Sequence, residues 1–298
     1  MERPKRPNGR VRALPRSLTT YSFLWPAVLV LVAVTIFPSA YTIYLSLIEY
    51  KSFELTHQFV GLQNYQLLLS FADFWNSVRV SALYTLSTVA LSLFFGMVLA
   101  LALNQGLRGE NIFRAFIILP FTIAPVVTGF AWRYLFDSNQ GLVGAFILPG
   151  LGIHIPTILG SPTNAFAAVV FVDVWSKTPL IFLIILAGLQ GIPINLYRAA
   201  RIDGAGALSS FWHITLPLLR RVMIIAVILK VIDSVNSFDQ VYVITTGGPG
   251  NATRVLALEG YIVAFSNSDI GMAAALGVLM IIISVIAISI LIQYYNKE

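Results

Sequence analysis

The sequence contains no cysteine. Disulfides, Cys-ligated zinc and Cys-bound iron–sulfur clusters are therefore excluded, and no thiol is present to report the redox compartment. Charge is also scarce: 11% of residues are charged, against about 25% in a soluble domain. Half the usual polar surface is missing. That excludes an ordinary cytosolic enzyme, a disordered chain and a nucleic-acid-binding domain, despite a pI near 9.6. The net charge of +6 is concentrated at one end. Arg3, Lys5, Arg6, Arg10, Arg12 and Arg16 against Glu2 contribute +5 of it, which makes a basic tail and not a basic face. Catalytic motifs are missing as well. There is no phosphate-binding Gly-x-x-x-x-Gly-Lys-Ser/Thr loop, no His-Glu-x-x-His and no Gly-x-Ser-x-Gly. His57, His154 and His213 are far apart and fall in predicted loops. Asn251-Ala252-Thr253 matches a glycosylation sequon, a triplet common by chance.

What the chain has is apolar length. It is 57% hydrophobic, with a mean hydropathy of +0.82. A helix needs about 20 apolar residues to cross the hydrocarbon core. Six runs meet that length, near 21–48, 75–103, 111–136, 164–190, 217–245 and 269–295. The first is too long for a signal peptide and does not end in a small-residue cleavage site. The short alternating segments of a β-barrel do not occur. The expected fold is an all-α membrane protein, with a basic tail over 1–20 and a six-helix transmembrane domain over 21–298. Basic residues flanking the spans set the orientation. The tail, 104–110, 191–221 and the C-terminus hold most of them, including Arg108, Arg198, Arg201, Arg220 and Arg221. The segments 49–74, 137–163 and 246–268 hold few, mainly Lys51 and Arg254, with Arg133 near the boundary. Both termini are therefore expected in the cytoplasm. Residues 62–69 read as a short interfacial helix.

The loop after the fourth span has its own pattern. Residues 195–203 fit a short amphipathic helix, with Leu196, Ala199, Ala200 and Asp203 on one side at helical spacing. Asp203-Gly204 ends it, because glycine readily takes the left-handed conformation of a helix terminus. Periodicity alone also suits a helix resting on lipid headgroups.

Ionisable groups inside the spans form the second pattern. At a helix centre such a residue costs roughly 2.5–3.5 kcal/mol on insertion scales, so it tends to face a cavity or a partner. The candidates are Arg79, Asp173, Lys177, Lys230, Asp233 and Asp239. Asp173 and Lys177 are four residues apart and placed to pair along one helix. Lys230, Ser234 and Ser237 share one face of the fifth span, with Asp233 and Asn236 beside it. That face suits either a substrate pathway or a polar seam between helices.

At this point a resemblance becomes specific. Tyr197-Arg198-Ala199-Ala200-Arg201-Ile202-Asp203-Gly204-Ala205, followed by Phe211, Ile214, Leu216 and Pro217, resembles the signature loop of permease subunits of bacterial ATP-binding-cassette importers. Phe59-Val60-Gly61-Leu62-Gln63-Asn64-Tyr65, Leu119-Pro120, and Phe238-Asp239-Gln240-Val241-Tyr242 leading to Thr246-Gly247-Gly248-Pro249-Gly250 resemble the carbohydrate branch, of maltose-permease type. Arg198 stands where the family usually has Glu, and Arg221 where a proline is often found. The resemblance implies a type I importer permease in a bacterial or archaeal plasma membrane. It makes Tyr197, Arg198, Ala199, Ala200, Asp203, Gly204 and Ala205 a coupling helix that docks on an ATPase subunit. Aligned on the motifs, sugar-contact positions fall on Phe121, Pro125, Lys177, Leu180, Lys230, Ser234 and Ser237. The implied partners are a second, homologous permease in a heterodimer, two ATPase subunits, an external solute-binding protein, membrane lipid and the sugar. No cofactor is expected in this chain, and ATP and Mg would be bound by the ATPase subunits. Two lysines at cavity positions hint at an anionic sugar or phosphorylated polyol, unless Asp173 and Asp233 neutralise them. An ion-coupled secondary transporter and a membrane-embedded enzyme are the competing classes. The first leaves residues 197–217 unexplained, and the second lacks a catalytic constellation.

Overall fold

A computed structural model describes residues 16–51, 53, 58–106, 109–153 and 157–296. Most of the basic tail, together with Arg108, His57 and His154, lies outside these residues. The chain is helical almost throughout. Helix α1 (Arg16–Leu31) passes through a π-helical turn (Val32–Ile36) into α2 (Phe37–Ser46). A two-residue antiparallel pair, β1 (Ile48–Glu49) with β2 (Gln58–Phe59), and the short helix α3 (Gln63–Ser70) follow outside the first span. Then come α4 (Ala72–Leu103), α5 (Glu110–Thr122), α6 (Pro125–Leu135), α7 (Leu148–Gly150) and α8 (Pro162–Gln190). Helix α9 (Ile194–Ile202) precedes a continuous rod of α10 (Ala207–Ser210), a π-helical turn (Phe211–Thr215) and α11 (Leu216–Val235). The chain closes with α12 (Asp239–Thr245), α13 (Leu256–Tyr261) and α14 (Ile270–Asn296).

Among the described residues four helical stretches are long and apolar enough to cross a membrane: Leu24–Ser46, α4, α8 and α14. Two of the six predicted spans differ from simple rods. The third is broken: α5 and α6 meet at a 94° bend. Pro125 starts the second half, and Ala124 before it is extended, as a residue preceding proline prefers. The fifth ends at Val235 instead of 245, because Asn236 caps α11 by donating its side-chain amide to the Ile232 carbonyl (2.8 Å), and the helix restarts at Asp239. Arg220, Arg221, Lys230 and Asp233 also make α11 less apolar than the other spans. His213 is not in a loop; it lies in the π-helical turn that leads into α11. The β1–β2 pair was not legible, since two residues carry no alternation to detect.

The centre of the molecule is α4 laid along α8, with α11 across both. Small residues make this approach possible. Ser77, Ser81, Thr88, Ser92, Gly96 and Ala100 form a buried seam on one face of α4. At Gly96 a β-carbon would lie 2.9 Å from Ile181 Cγ2 and 3.2 Å from the Phe182 backbone nitrogen. Around this seam Met97, Ile181, Phe182, Ile185, Leu219 and Ala226 form one core cluster, and Tyr84, Val169, Val172, Val241 and Leu258 another. By contrast, Leu24–Ser46 buries none of its apolar window inside the chain, and α14 buries 11%. Those surfaces face lipid or a second protein.

The segment 246–268 is tied to the N-terminal end of α4. Ser81 accepts from the Leu256 amide (2.7 Å), Asn76 donates to the Asn251 carbonyl (3.0 Å), and Ser77 donates to Glu259 (3.3 Å). Arg254 pairs with Glu259 and, at 3.6 Å, with Asp73. Burial raises the Glu259 carboxyl above its ordinary range, against the opposing pull of Arg254. In the Thr246–Gly250 motif, Thr246, Gly247 and Gly250 take positive φ.

The crossing at Gly96 gives a direct test. Gly96→Leu forces α4 away from α8, and overpacking of this kind typically costs about 1–3 kcal/mol. Purified protein should lose thermal stability and yield. Gly150→Ala, where nothing lies within 4 Å of the new carbon, should leave both unchanged.

Candidate functional site

Two regions gather the residues singled out in the sequence. The first lies inside the spans, where α8, α11 and α4 meet. Asp173 and Lys177 do not pair along α8. Each pairs across to α11: Asp173 Oδ1 lies 2.5 Å from Lys230 Nζ, and Lys177 Nζ lies 2.9 Å from Asp233 Oδ1. Lys230 also reaches Asp233 Oδ2 at 3.1 Å. Tyr84 of α4 donates to Asp173 Oδ2 at 2.9 Å. The result is a ladder, Tyr84–Asp173–Lys230–Asp233–Lys177, in which all four carboxylate oxygens are engaged.

The ladder runs from dry to accessible. The side chains of Asp173 and Lys230 are 1% and 2% exposed, whereas those of Lys177 and Asp233 are 22% and 37% exposed. Hydroxyls extend it. Tyr84 Oη is 3.0 Å from Ser237 Oγ, and Thr88 Oγ1 is 2.9 Å from Ser234 Oγ. Ser176 accepts from Gln240 Nε2 at 3.0 Å. The i, i+4 rule suggested an Asp173–Lys177 pair, but a lysine on a crossing helix is a better partner when the helices approach this closely.

The accessible end opens into a cavity of about 230 Å³ at the break between α11 and α12. Lys177, Asp233, Asn236, Ser237, Phe238 and Asp239 line it. Pro125, at the bend of the third span, and Gln240 complete the wall. Both broken spans thus meet here, and a broken helix places unsatisfied backbone ends and polar caps at membrane depth only where they line a cavity or pack in protein. Of the remaining predicted positions, Lys230 and Ser234 lie buried beneath this wall. Phe121, 39% exposed on α5, does not line it. Phe238, not considered as a cavity aromatic in the sequence, does; it also stacks on Tyr242 with centroids 5.3 Å apart. Its place beside the helix-breaking Asn236-Ser237 was the available signal.

The second region is α9 and its surroundings. No residue of α9 is buried, and Ile194, Leu196 and Ile202 are exposed, Ile202 at 86%. Arg198, Ala199 and Asp203 are exposed with them, and Tyr197 and Ala200 are half-buried. The helix ends as the sequence implied. The Ala205 amide donates to the Ala200 carbonyl (2.8 Å) and the Gly204 amide to the Arg201 carbonyl (3.2 Å), with Gly204 at φ +82°. This is the two-bond glycine terminus of a helix. Tyr197 Oη and Thr215 Oγ1 share a hydrogen bond of 2.9 Å, which ties α9 to the base of α11. An exposed amphipathic helix anchored in this way suits protein docking or a headgroup contact.

Comparison with known proteins places this architecture. The family model described as binding-protein-dependent transport system inner membrane component matches residues 92–297. The trehalose/maltose transport system permease protein MalF of Thermococcus litoralis is 37% identical over 263 residues, covering 88% of each chain. The sn-glycerol-3-phosphate transport system permease protein UgpA of Agrobacterium fabrum is 29% identical, covering 95% of this chain and 97% of its own. Two solved structures of a bacterial transporter for the acidic polysaccharide alginate match 95% of this chain. One superposes with a TM-score of 0.79 at 18% identity; the other, in complex with a pentasaccharide-bound periplasmic protein, does so with 0.81 at 16% identity. These two likenesses establish the type I importer permease fold. With its broken spans, its exposed helix after the fourth span and this family match over two thirds of its length, the chain belongs to the binding-protein-dependent transport system inner membrane components, the permeases of ATP-binding-cassette importers.

Proposed function

We propose that this permease carries a carbohydrate or related polyol, delivered by an external binding protein, through the cavity at the α11–α12 break. One observation carries the reading: a membrane-depth cavity lined by hydrogen-bonding groups of both kinds beside an aromatic ring. Lys177 and Asn236 supply donors, Asp233 and Asp239 supply acceptors, Ser237 supplies both, and Phe238 offers an apolar face. A sugar leaves water only where its hydroxyls are re-bonded and its ring face is covered. The relatives named above support the same class, and their printed substrates include neutral disaccharides, a phosphate ester and an acidic polysaccharide. Lys177, Asp233, Asn236 and Ser237 would contact substrate, with Lys230 and Ser234 holding that wall from below. Phe121, near the bend of the third span, would belong to the same path when the helices rock. At 230 Å³ the cavity is below the usual 300–1,000 Å³ of a ligand pocket, which suits a site completed by a second permease.

In this proposal the chain performs no bond chemistry. Two partner ATPase subunits bind ATP and Mg, and α9 docks on one of them from the cytoplasm. Both termini lie in the cytoplasm, since the basic flanks concentrate on that side. Transport follows from rocking of the helices around the central site.

Three measurements test these assignments. In a wild-type background free of cysteine, an impermeant thiol reagent on intact spheroplasts should label Leu151→Cys and spare Ser209→Cys; the reverse pattern inverts the topology. For coupling, the informative position is Gly204. A β-carbon there meets nothing within 4 Å, so a substitution acts through the backbone alone, and left-handed φ costs an ordinary residue about 1–2 kcal/mol. Gly204→Val should reduce ATPase stimulation by loaded binding protein and uptake about tenfold, while Gly204→Asn should retain most of both. Equal activity in the two variants would detach this terminus from coupling. For the path, Ser237→Trp should abolish uptake in a fully assembled complex by filling the cavity. Ser234→Ala, which removes only the bond to Thr88, should cost roughly 0.5–1.5 kcal/mol of stability and reduce uptake only mildly. Normal uptake by Ser237→Trp in an intact complex removes this cavity from the path.

A further inference from the structure

Whether the substrate is charged depends on what the two intramembrane lysines have left to offer. Isolated, they would make a phosphate or carboxylate site, since a buried ammonium without a counterion is an anion trap. They are not isolated. Lys230 is held by Asp173 at 2.5 Å and Asp233 at 3.1 Å, and Lys177 by Asp233 at 2.9 Å. The four groups sum to zero charge. Asp239, on the same cavity wall and exposed, adds one negative charge. An anionic ligand entering here would meet Asp233 and Asp239 and would have to displace a carboxylate from Lys177. Like charges brought into contact repel even at the moderate effective dielectric of a half-exposed site.

We infer that the cavity selects a neutral sugar or polyol and rejects an anionic one, with the half-exposed Lys177–Asp233 pair as the specificity element. Lys177 has donated one of its three ammonium hydrogens to Asp233. Asp233 has accepted one bond at each oxygen and has a lone pair left on each. Side by side, the two present a donor and an acceptor 2.9 Å apart, the spacing that two neighbouring hydroxyls of a polyol can satisfy together. Buried Asp173, Lys230 and Tyr84 hold the pair in place from below; they are positioning residues.

This inference rests on the carbohydrate reading above, and the test separates the two. The complete importer, with its binding protein, is reconstituted in proteoliposomes and offered labelled maltose, trehalose and glycerol as neutral probes, glucuronate and glycerol 3-phosphate as anionic ones, and an amino acid mixture. Uptake confined to neutral members is expected. Uptake of glucuronate or glycerol 3-phosphate overturns the neutral assignment and leaves the carbohydrate reading standing. Uptake of amino acids in place of every sugar overturns both.

The variants give a second readout that the binding protein cannot imitate, because its own specificity is unchanged. With the probe that wild type carries, Lys177→Gln and Asp233→Asn should each reduce uptake tenfold or more. The double variant, again neutral and still able to donate and accept, should recover to within about threefold of wild type. An anion site behaves differently: Asp233→Asn raises uptake, Lys177→Gln abolishes it, and the double variant is no better than Lys177→Gln. Either that pattern or full activity of both single variants overturns the inference. Recovery of the assembled complex is measured alongside, and both side chains are solvent-accessible enough for the fold to tolerate the changes.

Discussion

The cross-helix ion-pair ladder sets the terms for the rest of the structure. Two charges on α8 and two on α11 are each expensive at membrane depth, roughly 2.5–3.5 kcal/mol apiece on insertion scales. The buried Asp173–Lys230 pair is of a kind that seldom stabilises relative to well-packed apolar side chains, but losing one of its members leaves an uncompensated buried charge that costs about 3–5 kcal/mol. The ladder therefore specifies register more than it adds stability. Asp173 finds Lys230, and Lys177 finds Asp233, at only one relative placement of the two helices. Tyr84 extends that constraint to α4. The close α4–α8 crossing at Gly96, and the seam of Ser77, Ser81, Thr88 and Ser92, keep a third helix near enough to join.

The two breaks in the spans follow from the same constraint. A continuous fifth span would carry Asn236, Ser237 and Asp239 through the membrane within a single turn with little to bond to. Ending α11 at Val235 lets Asn236 cap its own helix and lets Ser237 reach Tyr84. The bend between α5 and α6 brings Pro125 to the opposite side of the same cavity. At these two breaks the irregular backbone is thus placed where polar side chains and a cavity can satisfy it. Arg133 shows the same economy in the last turn of α6: its guanidinium donates to the Val243 carbonyl of α12 at 3.0 Å.

How much of this the sequence disclosed depends on the range of the interaction. Local signals were legible. The amphipathic pattern of 195–203 and Gly204 located α9 and its terminus, and 62–69 located α3 to within a residue. Apolar length located the four simple spans. The cavity residues Lys177, Asp233, Asn236 and Ser237 were found because ionisable and polar groups are conspicuous in apolar runs. What failed were statements about pairing. The i, i+4 spacing of Asp173 and Lys177 is a one-helix argument, and the actual partners are more than fifty positions away in the chain. The same limit explains Lys230 and Ser234, which share a helical face with Ser237 yet are covered by α4 and α8. In the sequence Phe238 stands out only as part of the motif Phe238-Asp239-Gln240-Val241-Tyr242, and it is the helix break that turns it toward the cavity.

The geometry between the two regions gives the proposed mechanism its reach. Residues 207–235 form one uninterrupted helical rod, which at about 1.5 Å per residue spans about 40 Å. Its base is fixed to α9 by the Tyr197–Thr215 hydrogen bond, and its far end holds Lys230 and Asp233. In the proposed mechanism, a partner that displaces α9 would act on the base of the rod through this hydrogen bond. The places where such a movement would be taken up are the π-helical turn Phe211–Thr215 and, at the other end, the ladder and the break after Val235. The ladder resists sliding of α11 along α8, since that would part both ion pairs at once. It resists rotation about the Lys230–Asp173 contact less, because the outer pair is half-exposed and not packed on every side. In the proposed mechanism, a substrate that bridges the intact Lys177–Asp233 pair would brace the outer end of the ladder while a push on α9 turns the rod about the Lys230–Asp173 contact.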